Sequence, residues 1–279
     1  MATARCCALD LRCAGCCWVG AGRHNGAVSP AERETVTVTF AGCGDAFGSG
    51  GRFQTCIHLQ PDGTAPLLLD CGATSLSALK RCGLDAGEVT TVFVSHLHGD
   101  HFGGLPFLIL DGQFTGRSET LTVVGPPGTA ARLHTAMECL FPGSAAARRS
   151  FEVVVTELAP GATARTGGAE VAAWPAEHPS GAPALCLRLA LAGKVIGYTG
   201  DTAWCSSVVQ VAAGADLLIA EAYYQHKPVP HHLRLADLQR HLDELACRRI
   251  ILTHLSADML SAQNQHQYET ADDGLMLRI

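Results

Sequence analysis

The chain has 279 residues, of which 47% are hydrophobic and 16% charged, with 30 glycines, few aromatics and a formal charge of −6. That length suits one large α/β domain or two small ones, and the acidic balance disfavours a broad electropositive surface for nucleic acid without excluding a local basic groove. No apolar run reaches the roughly 18 residues that a membrane-spanning helix needs, so no membrane association is expected.

Residues 1–34 show no sustained periodicity and hold five of the 13 cysteines, Cys6, Cys7, Cys13, Cys16 and Cys17. Arg5, Asp10 and Arg12 interrupt what would be the apolar part of a signal peptide. The segment reads as a disordered Cys-rich leader ahead of a domain over 35–279. Cys13 and Cys16 have metal-ligand spacing, but no second pair completes a four-ligand zinc site. The odd cysteine count, with the other eight scattered singly through apolar stretches, points to reduced thiols in a cytoplasmic protein rather than a disulfide framework.

From Thr35 the pattern changes. Thr35–Phe40 alternates with period two, as a half-buried strand does, and a glycine-rich turn over Gly42–Gly51 leads to β character over Phe53–Leu59. Further strands are predicted at Pro66–Leu69, Thr91–Val94, Leu121–Val124, Glu152–Val155, Val171–Trp174, Leu185–Leu191, Val195–Tyr198, Leu217–Ala220 and Ile250–Leu252. Helices are predicted at Ser75–Arg81, Phe102–Leu110, Thr129–Leu140, Ser206–Ala213 and Leu233–Ala246. The last carries Leu235, Leu238, Leu242 and Leu245 on one face. Strands first come in runs, then alternate with helices, an order that suits two packed sheets with helices on their outer faces.

Chemistry concentrates in Ser95-His96-Leu97-His98-Gly99-Asp100-His101, directly after the apolar strand Thr91–Val94. On extended backbone, residues two apart point to one side, so His96 and His98 can reach one metal ion. Gly99 permits a sharp turn, after which Asp100 and His101 can face a second. Three more candidates stand at strand ends, His178, Asp201 and His254, where a sheet would deliver them to a common rim. Imidazole and carboxylate suit Zn²⁺, and also Mn²⁺ or Fe. Arg52, in the glycine-rich turn, is weighed as a contact for an anionic substrate against a solvated loop residue. Phe102 and the helix after it are expected to line the pocket mouth.

His96-x-His98-x-Asp100-His101, with Asp70, His178, Asp201 and His254 in this order, resembles the metallo-β-lactamase superfamily over residues 35–279. The resemblance implies an α/β fold, an αββα sandwich of two mixed β-sheets with flanking helices, and two divalent metal ions, with Zn²⁺ the first choice. His96, His98 and His178 would hold one ion, Asp100, His101 and His254 the other, and Asp201 would bridge them. Asp70 looks like the family's aspartate that orients the metal loop.

An aspartate at 201 favours two-metal phosphoester chemistry, and Glu221 with His232 resembles the pair that assists leaving-group protonation in the ribonuclease Z group. The chain is also similar to a bacterial group of uncharacterised metallo-hydrolases related to ribonuclease Z, through Gly48–Arg52, Phe102–Pro106, Asp258–Leu260 and Asp273–Leu275. Asp100, His232 and Glu221 are expected to take part in catalysis, with His231 open as the proton donor in place of His232. The two cations would lower the pKa of a shared water for in-line attack on phosphorus.

Ribonuclease Z proteins that bind tRNA carry a protruding arm between the positions of His178 and Asp201. Here Leu185–Leu191, a Gly193-Lys194 turn and Val195–Tyr198 read as a plain hairpin. The expected substrate is therefore a small phosphodiester such as a cyclic nucleotide, with nucleic acid disfavoured and a homodimer in view. Rival readings are a ribonuclease Z-type tRNA endonuclease, a β-lactam or thioester hydrolase of the same fold, and a non-catalytic metal-binding protein.

Overall fold

The period-two runs become strands whose alternate side chains enter different cores. A computed structural model describes residues 35–263 and 266–279; the leader over 1–34, with its Cys13–Cys16 pair, lies outside the described residues. The first sheet is built from β1 (Val36–Gly42), β2 (Cys56–Pro61), β3 (Leu67–Leu69), β4 (Thr91–Phe93), β5 (Leu121–Gly125) and β6 (Val153–Glu157). The second takes β7 (Thr163–Thr166), β8 (Ala169–Pro175), β9 (Leu185–Leu191), β10 (Lys194–Tyr198), β11 (Leu217–Glu221), β12 (Ile250–Thr253) and β13 (Glu269–Thr270). The last strand, β14 (Leu275–Arg278), returns to pair with β1. Both sheets are mixed: β3 through β6 and β10 through β13 run parallel, and the remaining pairings are antiparallel.

Side-chain alternation assigns the layers. Val36, Val38 and Phe40 of β1 meet Leu187, Leu189 and Ile219 of the second sheet in a central core. Leu68 and Val92 point the other way, against α1 (Ser75–Arg81), α3 (Leu105–Thr115) and α4 (Thr129–Leu140), with the single-turn α2 (Gly99–Phe102) on the same side. On the far face, Leu218, Ala220 and Leu252 pack under α5 (Ser206–Ala212), α6 (Leu235–Arg240) and α7 (Ala257–Ser261). Three cores separated by two sheets make the αββα sandwich that the sequence implied.

Several expectations shift in detail. Strands β7, β13 and β14 escaped the sequence reading because they are short edge elements of two to four residues in which few side chains are buried, β7 and β13 also being polar. The predicted helix over Leu233–Ala246 is α6 followed by a single 3₁₀ turn, Leu242–Glu244. It breaks at His241, whose ring lies flat on Trp204 at 4.2 Å and whose Nδ1 pairs with Glu244. Leu242 is accordingly 39% exposed although its spacing placed it on the buried face. The β9–β10 hairpin closes on Ala192 and Gly193, both left-handed (φ 47° and 68°), a type I′-like turn with the twist that tight hairpins favour. Among the described residues no helix is long and apolar enough to cross a membrane, and the eight described cysteines are all free thiols.

His58 on β2 is buried, its Nδ1 has no hydrogen-bond partner, and burial pushes its pKa from 6.5 down to about 4. The unfolded chain therefore takes up a proton below pH 6.5 that the folded chain refuses until about pH 4, so stability is lost as pH falls through that window. Between pH 7 and pH 4 the wild type is expected to lose up to about 3 kcal/mol more than His58→Gln. Urea unfolding of both proteins at the two pH values checks this; parallel losses would refute it.

Candidate metal centre

The site stands at one end of the sandwich, where strands from both sheets stop. Past β4 the chain stays extended, and His98 has φ −77° and ψ 152°. This sends His96 and His98 to one side while Leu97 enters the outer core. Asp100 and His101 follow on α2. Gly99 was expected to make a sharp turn. Instead it opens α2 without a left-handed φ, and a side chain there would meet nothing. The glycines that matter are elsewhere: a Cβ on Gly72 would lie 2.2 Å from the Asp100 carbonyl oxygen, and one on Gly104 would lie 2.1 Å from that of Gly72. Their bare backbones let α2 rest on the β3 loop, fixed by Cys71 N–H on His101 O (2.7 Å) and Ala73 N–H on Gly99 O (3.0 Å).

The second sheet supplies the rest. His178 follows β8, Asp201 follows β10, Glu221 ends β11 and His254 follows β12. The donor atoms of His96, His98 and His178 form one group, and those of Asp100, His101, Asp201 and His254 another, each within a span of 4.8 Å. Asp201 also reaches the first group, with Oδ2 3.9 Å from His96 Nε2 and 4.0 Å from His178 Nε2. Its Oδ1 lies 3.2 Å from His101 Nε2. The structure thus brings the seven candidate residues together, with Asp201 in the second group and within 4.0 Å of donors of the first.

Hydrogen bonds set the tautomers. Asp70 accepts from Ser95 N–H (2.7 Å), Ser95 Oγ (2.7 Å), His101 Nδ1 (2.7 Å) and Tyr198 OH (2.7 Å). With Nδ1–H given to Asp70, His101 turns its Nε2 lone pair toward the oxygens of Asp100 (3.3 Å) and Asp201. A lone pair facing two carboxylates needs a proton or a metal cation between them. His178 likewise donates Nδ1–H to His231 O (3.0 Å) and directs Nε2 to His98 Nδ1 at 3.0 Å. Buried His96 Nε2, His101 Nε2 and Asp201 Oδ1 have no hydrogen-bond partner, an arrangement that is costly unless such atoms are ligands. The donor set fits a metal pair.

Charge follows the same logic. Burial would raise the Asp100 pKa, but His101 and His254 hold it far below the usual carboxylate range. Burial opposes charge on His101 and His254, yet Asp201 and its acidic neighbours keep both pKa values well above ordinary histidine. Metal uptake would displace those protons. Asp70, His231 and His254 all adopt left-handed backbone (φ 58°, 65° and 58°), a strain of about 1–3 kcal/mol each that clusters at functional sites.

Beside the metal donors, His232 Nδ1 makes a short hydrogen bond to Glu221 Oε1, and Glu221 Oε2 accepts from Thr202 N–H (3.0 Å) and Leu233 N–H (3.2 Å). Burial would depress the His232 pKa, but the bond to Glu221 and then the charges of Glu221 and Asp201 raise it. His232 lines a cavity of about 190 Å³ together with His98, Asp100, His178, Asp201 and His254. His231 is exposed and contributes its carbonyl, so of the two histidines only His232 lines the cavity. Asp201, Glu221, His232 and His254 also form a third group able to hold an ion.

Two expectations are corrected. Arg52 is nearly buried, pairs with Asp272 at 3.3 Å and does not line the cavity. Phe102 is buried in the outer core instead of at the mouth. Sequence reasoning missed Ser95, Tyr198 and Tyr223: Ser95 touches both Asp70 and His96 Nδ1 (3.0 Å), Tyr198 acts through Asp70, and Tyr223 lines the cavity through its fold position. Asp70→Asn would keep the shape of the side chain but turn an NH₂ against donors. It is expected to weaken metal binding about 10–100-fold, as read by chelator competition.

A family model described as "Anti-Pycsar protein Apyc1" matches residues 36–272. The ribonuclease Z of Methanothermobacter thermautotrophicus is 28% identical over 272 residues, spanning 79% of this chain and 87% of that protein. Human tRNase Z, short form, superposes with a TM-score of 0.71 at 26% identity, over 86% of this chain and 98% of that one. The metallo-β-lactamase fold protein YhfI from Bacillus subtilis superposes with a TM-score of 0.72 at 21% identity, over 88% and 100%.

Proposed function

Because the chain belongs to the family of the anti-Pycsar protein Apyc1, within the ribonuclease Z-like branch of the metallo-β-lactamase superfamily, we propose that it is a dinuclear metal-dependent phosphodiesterase acting on a small phosphodiester such as a cyclic nucleotide. The observation that carries this reading is a cavity lined by His98, Asp100, His178, Asp201 and His254 together with His232, with His96 and His101 buried among the same donor groups and Glu221 holding His232. His96, His98 and His178 would hold one ion and Asp100, His101 and His254 the other, with Asp201 in reach of both groups. Zn²⁺ is the first choice of metal, with Mn²⁺ or Fe as alternatives. When bound, the pair supplies Lewis-acid charge for the phosphoryl oxygens and makes water nucleophilic near neutral pH.

The protein's own groups do the remainder. Asp70 and the His231 carbonyl keep His101 and His178 in the tautomers that present Nε2. Asp100, inside the cavity, adds negative charge that draws cations in. Glu221 holds His232 by Nδ1, which leaves Nε2 free to give a proton to the departing oxygen. Residues 35–279 form the hydrolase domain, and we place the protein in the cytoplasm as a homodimer.

Two features favour a small substrate over tRNA. The cavity is small, and the interval between His178 and Asp201 folds as the bare β9–β10 hairpin with no arm. A tRNA 3′ endonuclease is the second reading, favoured by the likeness to ribonuclease Z. Metal-analysed protein incubated with bis-p-nitrophenyl phosphate, cyclic nucleotides and precursor tRNA separates them. Turnover of the small diesters without trailer cleavage is expected; trailer cleavage at an enzyme-like rate would overturn the small-substrate reading.

A further inference from the structure

Phe47 is 84% exposed, the most exposed large apolar side chain among the described residues. A lone exposed phenyl is ordinary on a protein surface, but this one lines the same cavity as the metal donors. It is also held in place. Buried Asp45 accepts from Phe47 N–H (3.2 Å), Ser49 N–H (2.9 Å) and Ser49 Oγ (2.7 Å), and Gln54 Nε2 donates to Ala46 O (3.2 Å). Gly48 and Gly50 turn through left-handed backbone, and Gly50 is pressed so close to α7 that a Cβ would sit 2.8 Å from Leu260. The ring is thus presented to solvent from a braced loop, at a position no core contact requires.

The cavity's size gives that position a use. About 190 Å³ is below the roughly 300–1,000 Å³ of pockets that enclose a whole small ligand. A planar substituent on the phosphate is therefore left in part outside the cavity, and exposed Phe47 is the aromatic lining residue available to it on the solvent side. Aromatic rings offer such substituents a face to stack on, whatever their hydrogen-bonding pattern. We infer that Phe47 is a specificity determinant, the platform on which the nucleobase of a small phosphodiester packs while its phosphate reaches the metal donors; this rests on the phosphodiesterase reading above.

The test uses the metal-loaded full chain as wild type, Phe47→Ala and Phe47→Trp, with 3′,5′-cyclic AMP and the same cyclic ribose phosphate lacking its base. Base stacking of about 1–3 kcal/mol corresponds to a loss of about 5- to 150-fold in kcat/KM. That loss is expected for Phe47→Ala on the nucleotide only, through KM, with the base-free diester changed less than about twofold and activity restored by Phe47→Trp. Equal losses on both substrates, no loss on the nucleotide, or a changed oligomeric state in sedimentation would overturn the assignment. If wild type hydrolyses neither diester, the phosphodiesterase reading fails by itself. Calorimetric binding of adenosine 5′-monophosphate then judges Phe47: tenfold weaker binding by Phe47→Ala supports the platform, and equal affinity refutes it.

Discussion

Asp201→Ala is expected to lower phosphodiester turnover by at least about 10³-fold, equivalent to roughly 4 kcal/mol of transition-state stabilisation. The size of the effect follows from position. Asp201 is the one carboxylate whose two oxygens approach His101 and His254 on one side and His96 and His178 on the other. Without it, Asp100 is the one carboxylate left among the seven donors to offset bound charge. Metal content should fall below two per chain in the same preparation, while far-ultraviolet circular dichroism stays native. A variant that keeps both metals and its rate would remove Asp201 from the bridging place.

The second large effect concerns His232 and depends on the leaving group. His232→Ala is expected to cut kcat by on the order of 10²–10⁴-fold where an alkoxide departs, as from a cyclic nucleotide. The loss should shrink to less than about tenfold on bis-p-nitrophenyl phosphate, whose nitrophenolate departs without a proton. Metal content should not change. This contrast separates two uses of the same atoms, because Asp201, Glu221, His232 and His254 also form a donor group of metal-binding size. Equal losses on both substrates together with lost metal would make His232 a ligand instead of an acid.

Much of the site was legible because its residues sit at strand ends, and strand ends are what period-two patterning locates best. His96 and His98 share a side because the chain after β4 stays extended, as the spacing required. Asp201 and His254 arrive from β10 and β12, both apolar enough to read as strands. What escaped has a common physical cause, contact between segments remote in sequence. Tyr198 meets Asp70 across 128 positions, and nothing local marks either as a partner of the other. Nor does anything local mark Gly72 and Gly104 for their role, a close backbone approach around α2. Phe102 misled because a hydrophobic residue beside a metal motif can serve the pocket or the outer core, and only packing decides which.

Placed side by side, His231 and His232 give the loop between β11 and α6 a double duty. One peptide supplies the carbonyl that sets the His178 tautomer, and the next supplies the imidazole held by Glu221. The two tasks are therefore interlocked: a chain whose loop has not closed neither presents His178 correctly nor aims its acid. Lengthening or shortening the loop by one residue is expected to disturb both together, whereas a side-chain change at His231, which contributes its carbonyl, is expected to disturb neither.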